Sequence, residues 1–98
     1  MLHIINQSPL SNSSLESCLS VAQGGEIPLI EDAVYAATTG SAFESKIIEA
    51  MKRFKVYVLQ PDLEARGLAD RAIAGVSPVD YSGFVDLAAN NQNCQSWL

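Results

Sequence analysis

The run Lys55-Val56-Tyr57-Val58-Leu59 constrains the fold more than any other stretch of the chain. β-Branched and aromatic residues follow one another there without the strict polar alternation of a half-solvated strand, and Gln60-Pro61-Asp62 ends the run. Such continuity suits a central parallel strand covered on both faces. Parallel neighbours must be joined by crossovers, usually helical, so the rest of the chain has to supply helices between strands. Leu2-His3-Ile4-Ile5 and Ile27-Pro28-Leu29-Ile30 read as two further strands. Pro28 has no donor for a ladder, which predicts that it starts its strand or lies at an edge.

The intervening segments carry helical signals. Asn6-Gln7-Ser8-Pro9 turns the chain, and Ser13 with Glu16 three residues later has the form of a capping box. Leu15, Cys18, Leu19 and Ala22 keep helical spacing, and Gly24-Gly25 closes the helix. Ala33 to Ala37 predicts a short helix after Glu31-Asp32, broken at Thr38-Thr39-Gly40; Phe43, Ile47, Ile48 and Met51 or Phe54 form a second apolar stripe. Pro61 opens a brief helix that runs through Arg66 and stops at Gly67. Ile73 to Val79 has room for another short strand. Asp80 caps a last helix in which Tyr81, Phe84, Val85 and Ala88 keep the period, and Cys94 to Leu98 either closes the sheet or trails as a tail.

Strands alternating with helices over 98 residues predict one α/β domain spanning 1–98, a mainly parallel sheet with right-handed crossovers and helices on both faces, layered as in flavodoxin-like folds. A hydrophobic fraction of 48% with 17% charged residues fits one globular unit, and its thin core makes oligomerisation a natural way to cover residual apolar surface. In such sheets reactive groups gather beyond the strands' carboxyl ends, here Asn6 to Pro9, Glu31-Asp32 and Gln60 to Asp62. None of these segments contains a GxGxxG, P-loop or GxSxG pattern, so nucleotide binding and serine hydrolysis are not indicated.

All six basic residues fall between Lys46 and Arg71, and the net charge is −5. With Glu49, Asp62, Glu64 and Asp70 set against them, the segment keeps only a small positive excess, too little for a phosphate-tracking surface. A protein partner is expected instead of direct nucleic-acid contact. No apolar stretch approaches membrane-spanning length, and Met1 to Ile5 has no secretory leader, so a cytoplasmic protein is the expectation. Two cysteines, Cys18 and Cys94, and one histidine, His3, form no recognisable metal pattern, and neither metal nor cofactor is expected.

Taken in order, Met1-Leu2-His3, Asn6 to Pro9, Ser14 to Leu19, Glu31 to Ala37, Lys55 to Leu59, Asp62 to Gly67 and Asp80 to Leu87, with the terminal Gln95-Ser96-Trp97-Leu98, resemble the DsrH/TusB subunits of bacterial sulfur-relay complexes. The resemblance implies a subunit that joins DsrE/TusD-like and DsrF/TusC-like relatives in a heterohexamer with two copies of each. It also implies a complex that passes persulfide sulfur between proteins, with a DsrC/TusE-like carrier. The destination is either 2-thiolation of the tRNA wobble uridine or Dsr-type sulfur oxidation. The principal sulfur-bearing cysteine of such complexes belongs to the DsrE/TusD subunit. Cys18 matches a cysteine that Dsr-type DsrH proteins carry in this helix and that some TusB proteins lack, which leans toward the Dsr-like branch.

Cys18 therefore has two readings. A thiol on the stripe Leu15, Cys18, Leu19 and Ala22 is ordinary packing, and Glu16 nearby disfavours a thiolate. The resemblance instead makes Cys18 a candidate sulfur-accepting thiol. Cys94, after Asn90-Asn91-Gln92-Asn93, is a lesser candidate. His3 reads as a core histidine, Glu31-Asp32 as helix caps before acid/base groups, Tyr57, Tyr81, Phe84 and Trp97 as core before interface, and Lys52, Arg53 and Lys55 as a solvated rim. The function expected is a mainly structural relay subunit. The alternatives are a stand-alone thiol-dependent sulfurtransferase and an interaction module with no covalent role.

Overall fold

A computed structural model describes residues 1–97. Five strands, β1 (Leu2–Ile5), β2 (Gly25–Leu29), β3 (Phe54–Leu59), β4 (Ser77–Val79) and β5 (Cys94–Trp97), form one sheet in the order β4-β3-β2-β1-β5, every neighbouring pair parallel. The four α-helices are α1 (Ser14–Val21), α2 (Glu44–Ala50), α3 (Gln60–Ala65) and α4 (Tyr81–Ala89), with 3₁₀ turns over Glu31–Ala37 and Ala69–Arg71. The expected closing segment is a strand as far as Trp97; Leu98 lies outside the described residues.

Strand alternation divides the interior into two layers. Ile5, Ile27, Leu29, Phe54, Val56 and Val58 point to one side, where they pack with Leu15 and Cys18 of α1, Ile47 of α2 and Leu63 of α3. Leu2, Tyr57 and Leu59 are buried on the opposite face. The walk β1 to β4 moves in one direction along the sheet, whereas β4 to β5 returns across its full width. With right-handed crossovers that reversal places α4 alone on the second face. A hydrogen bond from Asn91 Nδ2, just beyond α4, to Glu26 Oε1 (2.9 Å) holds it there.

Four local expectations need correction. Pro28 occupies the middle of the central strand, not a start or an edge. Alternate residues of a parallel strand bond to alternate neighbours, and Glu26 N–H donates to Met1 O (3.1 Å) while Ile30 N–H donates to Ile5 O (3.0 Å). Pro28 therefore omits one rung toward β1, between two intact ones. The capping box at Ser13 does not form: Asn12 Oδ1 accepts from the Ser14 N–H (2.6 Å) and the Ser14 hydroxyl, and Glu16 turns away to pair with Lys46. Ile48 is exposed, so the buried stripe of α2 narrows to Ile47 and Ala50, flanked by half-buried Phe43 and Met51. Glu31 and Asp32 make no side-chain cap. Asp80 does cap α4, accepting from Gly83 N–H at 2.7 Å, and Gly67 leaves α3 with φ +69°.

Candidate functional site

The strands' carboxyl ends assemble the predicted loops into one cluster. Glu31, just after β2, has φ +51°, a left-handed conformation unusual for a side chain of this length, and its N–H donates to Asp62 Oδ2 at 2.6 Å. Arg66 of the α3 end reaches back to Asp32 Oδ1, with Nη2 at 2.8 Å and Nε at 3.1 Å, and lies 3.7 Å from Asp62 Oδ1. Of the two carboxylates expected as helix caps, Asp32 is thus tied to a guanidinium, and Glu31 joins the cluster through its backbone N–H. Arg66 carried no sequence signal for this role, because its partner is 34 residues away.

Beside this cluster, Ser8, Pro9, Leu10, Tyr35, Phe43 and Leu68 line most of a cleft of about 290 Å³, with Arg71 at its border. Arg71 Nη2 donates to Thr39 O (3.1 Å) and returns its own carbonyl to Thr39 N–H (2.7 Å), pinning the loop to the 3₁₀ turn. Neither cysteine is in that cleft. Among the described residues no three His, Cys, Asp or Glu side chains stand together as a metal-ligand set.

Cys18 faces the sheet from the middle of α1 with no exposed surface. Burial pushes its thiol up to about 11, so at neutral pH roughly one molecule in ten thousand carries the thiolate that sulfur chemistry needs. Cys94 is exposed and opens β5, opposite Leu2, at the amino end of the sheet away from the cluster. Both thiols are free.

His3 is buried and both ring nitrogens are engaged. Trp97 Nε1–H donates to Nδ1 at 3.3 Å and Nε2 lies 3.2 Å from Gly24 O, an arrangement satisfied by the neutral Nε2–H tautomer. Phe54 meets the ring edge-on at 6.0 Å between centroids. Position in an apolar strand pointed to a core histidine, but the Trp97 partner, at the other end of the chain, was not legible. Arg53, read as a rim residue, donates to Leu19 O (2.9 Å) and Ala22 O (3.2 Å), placing positive charge at the carbonyl end of α1. On the second face Glu26 accepts from Asn91 and from Tyr57 Oη (2.8 Å); these two hydrogen bonds, Asn91 first, hold its carboxyl below the usual range.

A family model described as "DsrH like protein" matches residues 7–94. Protein TusB of Escherichia coli O1:K1 / APEC is 33% identical over 97 residues, covering 99% of this chain and 100% of that protein. Protein TusB of Shigella flexneri is 32% identical over the same span. The fold is also that of the ychN protein from E. coli, at TM-score 0.77 and 18% identity over 97% of each chain. MTH1491 from Methanobacterium thermoautotrophicum, a protein of unknown function, superposes at TM-score 0.68 and 15% identity, over 97% of this chain and 95% of that one. No helix of the described residues is long and apolar enough to cross a membrane.

Proposed function

The chain belongs to the DsrH family, and from that premise we propose that it is a subunit of a cytoplasmic sulfur-relay complex whose own contribution is to build the assembly. The observation that carries the reading is the end-to-end match to proteins named TusB. In this reading persulfide sulfur passes between partner proteins toward 2-thiolation of the tRNA wobble uridine. The partners are DsrE/TusD-like and DsrF/TusC-like subunits in a heterohexamer, together with a DsrC/TusE-like carrier, and residues 1–98 act as one domain. The leaning of Cys18 toward the Dsr-like branch weakens here, because a thiol that fills a core says little about pathway.

Burial of Cys18 supports an assembly role over sulfur chemistry at that thiol. Persulfide transfer needs a thiolate that can meet a donor sulfur, and Cys18 has neither access nor a lowered pKa. Sulfur on Cys18 requires α1 to separate from the sheet. Mass spectrometry of the assembled complex after persulfide loading tests that second reading: added sulfur on Cys18 would support it, and an unmodified Cys18 beside a persulfidated partner would exclude it.

Deletion of the gene tests the function. Nucleoside mass spectrometry should show loss of 2-thiouridine from the tRNAs that carry it, restored by the gene in trans. Undiminished thiolation would reject the tRNA branch and direct attention to sulfur oxidation.

A further inference from the structure

The cleft beside the carboxyl-end cluster plays no part in the relay reading, and neither cysteine borders it. It lies where open parallel sheets receive ligands: Ser8 to Leu10 follow β1, and Tyr35 to Phe43 follow β2. Pro9, Leu10, Phe43 and Leu68 give it apolar walls. Its polar groups include three with protons that find no acceptor among the described residues. Ser8 Oγ accepts from Leu10 N–H (3.3 Å) and Ser41 Oγ from Phe43 N–H (3.2 Å), so each hydroxyl proton is left to donate. Arg71 gives one N–H to Thr39 O and pairs with no carboxylate among the described residues, which leaves most of its guanidinium fork unused. That head group is held in place: Thr39 N–H donates to Arg71 O at 2.7 Å, and a Cβ on Gly40 would lie 3.6 Å from Nη2. No carboxylate lines the cleft, and Glu44, on the helix that follows this loop, is engaged by Gly40 N–H at 3.0 Å. The groove between α1 and α2 differs in this respect, because Lys46 there is paired with Glu16 and Arg53 donates to the carbonyls of α1. The clefts beside Asp80 and Ser13 contain no cation at all.

We propose that this cleft binds a small monocarboxylate with a compact apolar body, its carboxylate received by Arg71 and its body by the Pro9, Leu10, Phe43 and Leu68 walls. Apolar walls with a few convergent donors are the usual make-up of a small-molecule site. A planar guanidinium with unused N–H groups matches a carboxylate in two parallel hydrogen bonds, and the serine hydroxyls supply further donors. Volume sets the size: about 290 Å³ is the liquid volume of roughly ten waters, room for one ring and its head group but not for a peptide segment. Charge sets a single negative head group, because at a net charge of −5 the chain repels a dianion more strongly than a monoanion. The site does not depend on the relay-subunit reading.

The test is an NMR titration of the full chain with phenylacetate, and with phenylacetamide as its neutral counterpart. Phenylacetate should give saturable shifts confined to Ser8–Leu10, Thr38–Phe43 and Leu68–Arg71, and phenylacetamide should bind about tenfold more weakly or worse, the loss of one charge-assisted contact. Arg71→Gln should weaken phenylacetate to the level of the amide, and Arg71→Lys, which keeps the charge without the fork, should fall between. Leu10 is 80% exposed, so Leu10→Ser should weaken acid and amide alike while keeping the melting curve of the wild type. Lys52→Gln, at an exposed cation outside the cleft, should change neither. Should Arg71→Gln lower the melting temperature, Arg71→Lys and Leu10→Ser still decide the matter in a folded chain. Equal affinity for acid and amide, shifts scattered over the surface without saturation, or a preference that survives both Arg71 variants would overturn the site. Each of those results would leave the relay reading intact, since that reading is tested by tRNA thiolation.

Discussion

Replacing Cys18 with Ala separates a packing thiol from a reactive one. The side chain has no exposed surface and sits among Leu15, Ile5 and the other residues of the main core. Removing its sulfur loses about the transfer energy of one methylene, ~0.8 kcal/mol. The void left, roughly 20 Å³ if neighbours hold still, adds about 0.5 kcal/mol at ~24 cal/mol per Å³. The higher helix propensity of Ala offsets a few tenths. The net cost is about 1 kcal/mol, which in a domain of this size lowers Tm by roughly 4–8 °C. Calorimetry or circular dichroism on the purified chain measures it. The same preparation gives a chemical readout. Lifting a thiol from 9.0 to about 11 cuts its thiolate fraction about a hundredfold at neutral pH, before any steric exclusion. An alkylating reagent should therefore label exposed Cys94 far faster than buried Cys18. An unchanged Tm for Cys18→Ala together with comparable labelling of the two thiols would refute the packing argument.

Three other substitutions probe separate links. Trp97→Phe removes the indole donor to His3 Nδ1 while keeping an aromatic ring, and should cost about 1 kcal/mol in urea unfolding; no change would mean that the β5 edge is not anchored through His3. Glu26 has a carboxyl pKa depressed in the folded state, so its contribution is present above the unfolded value of 4.5 and disappears as pH falls through the folded value. Between pH 5 and 3, wild type should consequently lose more stability than Glu26→Gln, and parallel pH curves would contradict the Asn91–Glu26–Tyr57 network. At Glu31, φ +51° favours glycine, so Glu31→Gly should stabilise by about 0.5 kcal/mol after the entropy of the extra freedom is subtracted, and thermal melting that shows a loss would mean the Glu31 side chain does more than tolerate strain.

The elements that sequence reading located well are those whose signal is local. The apolar run at Lys55 to Leu59, the Asp80 cap and the Pro61–Gly67 brackets around α3 are each decided within a few residues, and each stands where periodicity puts it. Pro28 misled because edge placement is only the commonest solution to a missing donor. A parallel strand can drop one rung in its middle when the flanking rungs hold and both faces are covered. Ser13 does stand at the N-cap, but its side chain makes no cap; Asn12 Oδ1 instead takes the Ser14 N–H and hydroxyl. Glu31 and Asp32 were correctly placed at a strand end, but their partners Asp62 and Arg66 come from the next crossover, where chain distance erases any pattern. Cys18 on an apolar stripe was compatible with both packing and chemistry. Only three-dimensional burial distinguishes a thiol under a helix from one at its exposed margin.

The most direct measurement of the central claim, that this chain serves the relay through its surfaces and not through a thiol, is 2-thiouridine content in cells whose only copy carries Cys18→Ala and Cys94→Ala. With the complex shown intact by light scattering, thiolation should stay near wild type while deletion of the gene abolishes it. Thiolation falling to the deletion level in the thiol-free variant, with assembly preserved, would contradict the account.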